Sequence, residues 1–124
     1  MNIGVARQQY SQNKIKSLTE QEQNVEAIRI ALQQVTSAMK SFVSATTAED
    51  REPHFEMALT RIYILQKCLD FEAGGDLAKN LFRIYEFARQ SILNFKDDIE
   101  TKKNVENAIE YLSVVYEGWR EMKL

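Results

Sequence analysis

The chain of 124 residues holds one cysteine, one proline, one histidine and four glycines, and each shortage removes a class of protein. With Cys68 alone, neither an intrachain disulfide nor a cysteine-based zinc cluster can form. Cys68 lies between Leu65 and Leu69 in an apolar stretch, where it reads as a small buried hydrophobe, and such usage suits a reducing cytoplasm. Pro53 and glycines 4, 74, 75 and 118 are too few breaks for the many turns of an all-β chain, so helix is the expectation. A single histidine, His54, among Glu49, Asp50, Glu52 and Glu56 reads as a solvated helix end. It leaves no Ser or Cys triad and no Glu-x-x-His pairs for a di-iron bundle. Gly74-Gly75 lacks the spacing of a phosphate-cradling loop. No metal, no cofactor and no enzymatic reaction is expected.

Charge of one sign is also missing. Sixteen basic against eighteen acidic residues leave a formal charge of −2, with no positive field to draw nucleic acid or an anionic membrane. No stretch approaches the roughly 20 apolar residues of a membrane span, and Met1 to Tyr10 has no apolar core of a secretory signal. A cytoplasmic protein without membrane insertion is expected.

What is present is helical periodicity in a chain that is 44% hydrophobic, enough for one core. Residues 1–18 are polar, with Ile3, Val5, Tyr10, Ile15 and Leu18 too sparse for a well-buried helix, and read as an arm; residues 19–124 read as a single helical domain. Thr19 and Glu22 form a capping box ahead of a first helix with its stripe at Val25, Ile28, Leu32, Val35, Met39 and Phe42. Thr46, Thr47 and Ala48 form a connection. A second helix begins near Pro53, in its first turn, and carries Phe55, Ala58, Leu59, Ile62, Leu65 and Leu69, with Tyr63, Ile64 and Phe71 widening the stripe. Gly74-Gly75 stops it. A third runs from about Asp76 to Asn94 with Leu77, Leu81, Ile84, Tyr85, Ala88 and Ile92 inward and Phe82, Phe87 and Phe95 off the stripe. Asp97 or Asp98 caps a fourth carrying Val105, Ala108, Ile109, Leu112, Val115, Trp119 and Met122. Short connections make an all-α, antiparallel four-helix bundle, up and down, with an N-terminal arm or short extra helix. A bundle this small has little room for five tyrosines, six phenylalanines and a tryptophan, so some aromatics are expected on the surface as a groove for an amphipathic helix.

Four segments in order resemble the FliS family of flagellin export chaperones. Leu69 to Asn80, LDFEAGGDLAKN, is similar to its Leu-Asp, acidic step, Gly-Gly and following Ala and Asn; Leu81 to Phe87, LFRIYEF, to its Leu-x-x-x-Tyr-x-Phe run. Trp119-Arg120-Glu121-Met122 resembles the Trp-Arg/Lys-Glu that closes the family's last core helix, and Tyr10-Ser-Gln-Asn13 its N-terminal Tyr-x-x-Asn. The first helix departs: the family's Ser-Pro-Glu-Glu-Leu and Leu-Tyr-Asp/Glu-Gly are replaced by Leu18-Thr-Glu-Gln-Glu22 and Ala27-Ile-Arg-Ile-Ala-Leu32.

The resemblance implies a cytoplasmic chaperone, using no nucleotide, that wraps the disordered C-terminal region of flagellin and keeps it available to the type III export apparatus. It implies an arm that covers a groove when no client is bound. Tyr10 is the arm anchor by matching position; Ile3, Ile15 and Leu18 join it by hydrophobicity. Tyr63, Ile64, Phe82, Tyr85 and Tyr116 are groove candidates, with core placement of Tyr85 and a rim position for Tyr116 as the plainer readings. Two alternatives stay open: a helical module that forms a homodimer through the same stripes, and a FliS-like paralogue serving another export or regulatory protein.

Overall fold

A computed structural model describes residues 20–121, with side chains from Asn24 onward. It contains four helices: α1 Glu20–Ser44, α2 Ala48–Lys67, α3 Phe71–Leu93 and α4 Ile99–Glu121. α1 packs against α2 and α4, and α3 packs against the same two, so the helices follow one another around a ring in chain order. With connections this short, neighbours run antiparallel and the fold is the expected up-and-down bundle. Thr19 of the capping box, the arm residues Ile3, Tyr10, Ile15 and Leu18, and Met122 lie outside the described residues. Among the described residues, no helix is long and apolar enough to cross a membrane.

The periodicity of α1 becomes its buried face. Val25, Leu32, Val35, Met39 and Phe42 are buried and Ile28 packs against them. Ala31 and Ala38, seven residues apart, are buried too, and α1 and α2 are the most closely packed pair. Ile62 and Leu65 of α2, Tyr85 and Ile92 of α3, and Val105 and Leu112 of α4 complete the interior. Each such side chain contributes about 1.5–3 kcal/mol by leaving water.

Local polar chemistry sets the helix ends. α2 starts at Ala48 because Thr47 takes an extended conformation and its hydroxyl accepts from the Asp50 N–H at 3.1 Å. Pro53 therefore falls inside the second turn, where it removes an N–H from the helix, and not in the first turn as expected. α2 also ends early, at Lys67, with the Cys68 N–H bonded to the Ile64 carbonyl at 3.0 Å. Asp70 is the reason: its carboxylate accepts from the Glu72 and Ala73 amides at 3.1 and 3.0 Å and opens a new turn. Gly75, at φ +52° and ψ −128°, then kinks the chain between that turn and the rest of α3. The glycine pair divides α3 from its own first turn, whereas the expectation was that it would terminate α2. Gly74 is needed for space, since a Cβ there would stand 2.9 Å from the Ala78 Cβ.

Of the two candidate caps of α4, Asp98 serves, accepting from the Thr101 N–H at 2.8 Å and its hydroxyl at 2.7 Å. Asp97 adopts φ +58° and faces Arg51 at 3.5 Å. Arg51 ties this end of the bundle together: it donates to the Ala45 carbonyl at 3.0 Å and lies 5.1 Å over the Phe95 ring. Phe95, off the α3 stripe by spacing, belongs to the core because it packs edge-on against Phe42 at 4.9 Å. At the other end Arg29 donates to the Trp119 carbonyl, joining α1 to α4.

Several side chains expected inside are outside. Tyr63 and Ile64, read both as widening the α2 stripe and as groove candidates, follow buried Ile62, and the rotation of about 100° per residue turns both outward. Phe71 is exposed on the separate first turn of α3. Cys68 is exposed, on the same outward row as Ile64. Leu77 is 66% exposed, near the start of α3 and at the end of the bundle.

Two glycine substitutions should act with opposite signs in urea unfolding. Gly75→Ala forces a Cβ into positive φ and should cost about 1–3 kcal/mol. Gly118→Ala, in the last turn of α4 with open space for a Cβ, should stabilise by about 0.5–1 kcal/mol.

Candidate partner-binding surface

Rotation of the four helices about the core divides the outside into four seams, one between each pair of neighbours. Cross-helix contacts identify which side chains border each. On the α2/α3 seam, Gln66 Nε2 donates to Glu86 at 2.9 Å, and Glu86 also accepts from Arg89 at 2.8 Å and Gln90 at 3.0 Å. Bonds from Gln66 and then Gln90, with Arg89 beside them, hold the Glu86 carboxyl below the ordinary glutamate value. Tyr63, 61% exposed, lies under the Lys67 ammonium at 5.9 Å. Phe71 and Phe82 meet edge-to-face at 5.9 Å. This seam mixes aromatic surface with charge.

The α3/α4 seam is different. Phe87 and Tyr111 pack at 5.7 Å and both remain partly exposed. That pair fixes the antiparallel register, which puts Ile84 beside Val114 and Leu77 further along the same strip. Val114 is 68% exposed. The other residues along it, Asn80, Asn107 and Gly118, carry no charge, and Arg83 at its edge donates to Asn80 at 3.2 Å. A strip of apolar side chains open to water on one bundle face is suited to packing against another amphipathic element.

Two grooves flank α1. The one against α2, about 650 Å3, is lined by Ile30, Ala38 and Met57 with Gln33, Gln34, Ser37, Ser41, Pro53 and His54. The one against α4, about 350 Å3, has Thr36, Ser113 and Tyr116 between Lys40 and Glu117. The α2/α3 and α1/α4 seams lie on opposite sides of the ring, as do α1/α2 and α3/α4; Arg61, bonded to Gln34 at 2.6 Å, places a cation on the α1/α2 seam.

The sequence-derived candidates do not form one groove. Tyr63 and Phe82 share the α2/α3 side; Ile64 is exposed on α2 and lines neither groove beside α1; Tyr116 is half-buried in the α1/α4 groove. Tyr85 is excluded from any surface role, being 1% exposed in the centre of the core. Burial, aided by the nearby Cys68 thiol, pushes its hydroxyl up to about 12. Phe87, Tyr111, Val114 and Met57 are exposed apolar residues absent from the sequence-derived candidates. Their signal was present: Tyr111, Val114 and Gly118 recur at helical spacing beside the Leu112 stripe, and Phe87 stands off its own. Among the described residues no cluster of three or more His, Cys, Asp or Glu could hold a metal.

Tyr85→Ala should lower stability by about 3–5 kcal/mol, as for other large core truncations, whereas Tyr63→Ala should stay within about 0.5 kcal/mol. Denaturant midpoints separate the two. Since the Glu86 carboxyl is held down in the folded state, its contribution is present above the ordinary value of about 4.3 and disappears as pH falls through the lower folded value. Glu86→Gln should flatten the acid limb of the stability profile by a few tenths of a kcal/mol.

A family model described as flagellar protein FliS matches residues 3–124. No curated protein matches the chain, and no solved structure does.

Proposed function

The chain belongs to the FliS family, and from that premise we propose that it is a cytoplasmic export chaperone that binds the C-terminal segment of flagellin. Bound there, it prevents premature polymerisation and delivers the client to the flagellar type III export apparatus, with no cofactor and no chemical step. The observation that carries the reading is the family match over nearly the whole chain. The surface supports it. A client that folds on binding must offset its ordering cost by covering much apolar area, and this bundle leaves Phe82, Phe87, Tyr111 and Val114 open around α3.

In this reading residues 1–18 act as an arm whose Ile3, Tyr10, Ile15 and Leu18 reach the client-binding surface, and Tyr63, Ile64, Phe82 and Tyr116 contribute contacts on the other faces that the client wraps. The single domain is the bundle from residue 19 to 124. A second reading keeps the fold and the export role but gives the protein another client. It is favoured by the departure from the family pattern at Leu18–Glu22 and Ala27–Leu32.

Titration calorimetry with a C-terminal flagellin fragment separates the two. One-to-one binding with a negative heat-capacity change and a gain of helix is expected. Phe87→Ala with Tyr111→Ala should weaken it by about tenfold or more while the helical spectrum is retained. Absence of binding by the wild-type chain would discard flagellin as the client and favour the second reading.

A further inference from the structure

The strip along α3 and α4 carries a pattern that one copy of the chain leaves unused. On α4, Asn107, Tyr111, Val114 and Gly118 recur every three or four residues, and on α3, Asn80, Ile84 and Phe87 do the same, so each helix turns one ridge towards the strip. Four exposed charges border these ridges: Arg83 on α3, and Lys103, Glu110 and Glu121 on α4. Two are basic and two acidic, and among the described residues none of the four has an ion-pair partner. Arg83 donates to the neutral Asn80 side chain at 3.2 Å.

We propose that this strip seats a second copy of the chain, related by a two-fold axis that crosses the helices, so that α4 lies antiparallel on α4 and α3 on α3. The pattern fits itself in one register. Setting Tyr111 against Val114 of the second copy brings Asn107 against its Gly118, where the missing side chain leaves open space. Because Phe87 packs on Tyr111 within each copy, the same register carries Ile84 onto Phe87 of the second copy. The charges then meet with opposite signs: Lys103 reaches Glu121 of the second copy, and Arg83 comes level with its Glu110. A two-fold axis running along the helices would instead lay α4 on α3. It would shift Arg83 about five residues, or about 7.5 Å, from the level of Glu110, and would keep Lys103 away from Glu121 because neither would face an α4.

The size of the strip sets the strength of the contact. From Lys103 to Glu121 it is about 27 Å long at about 1.5 Å per residue, and two helices packed about 8–10 Å apart make it about 18 Å wide. Its footprint, on the order of 500 Å² per copy, falls below the roughly 800 Å² per partner of a standard stable interface. A weak, reversible dimer follows. The inference stands apart from the chaperone reading; where that reading holds, client and second copy compete for the Phe87–Tyr111 strip.

Sedimentation equilibrium of the full chain, from micromolar to millimolar concentration, reads the dimer. Val114→Glu, an exposed change that leaves the core untouched, should weaken self-association about tenfold or more. Arg83→Glu alone and Glu110→Arg alone each set like charges across the axis and should weaken it about threefold or more. An equimolar mixture of those two variants regains opposite charges at both ends of the mixed dimer and should recover most of the wild-type affinity, with the helical spectrum unchanged throughout. A chain that stays monomeric across the range, a dimer indifferent to Val114→Glu, or a mixture no tighter than its components would overturn the proposal. A C-terminal flagellin fragment, added to the dimer, keeps the two readings apart. Binding that dissociates the dimer supports the shared strip, whereas binding to an intact dimer leaves the pairing standing and moves the client off Phe87 and Tyr111. Absence of fragment binding discards flagellin as the client, while the concentration series still decides the pairing.

Discussion

Burial of one stripe of α1, from Val25 to Phe42, decides where every other surface of the molecule lies. Because α1 meets α2 on one flank and α4 on the other, its rotation about the core sends Ile30, Gln34 and Ser41 towards α2 and Thr36 and Lys40 towards α4, with Gln33 and Ser37 bordering both grooves. α2 and α4 turn their own stripes to the same interior, and α3 closes the ring. The outward residues then have no freedom left. Which of them border each seam follows from sequence position once the core is set.

The bundle ends hold this arrangement in register. Arg51 reaches the Ala45 carbonyl, Phe95 and Asp97, thereby joining the α1–α2 connection to the α3–α4 connection. At the opposite end Arg29 holds the Trp119 carbonyl, while Asp70 and Gly75 build the extra turn that carries Phe71 onto Phe82. These contacts keep the long helices antiparallel and aligned, so that side chains far apart in sequence, such as Phe87 and Tyr111, form one strip.

Much of this was legible in the sequence. The stripes of α1 and α4 are regular enough that the residues read as buried are buried or packed against the core, apart from Met122 outside the described residues. Where the reading failed, a local competitor was responsible. Asp70 captured amides that the glycine pair was expected to leave at the end of α2, and Thr47 started α2 upstream of Pro53. Cys68 and Leu77 looked apolar enough for the interior, but rotation or place at a bundle end exposed them. The site was less legible than the fold. An exposed aromatic and a buried one have the same sequence signature unless the partner helix's register is known, which is how Tyr85 came to be grouped with surface residues and Phe87 did not.

Side-chain resonances of the full chain, recorded with and without a C-terminal flagellin fragment, test most directly whether the client covers the exposed strip of α3 and α4. Phe87, Tyr111 and Val114 are expected to shift or broaden on saturation. A saturated complex that leaves all three unchanged would contradict this placement of the client.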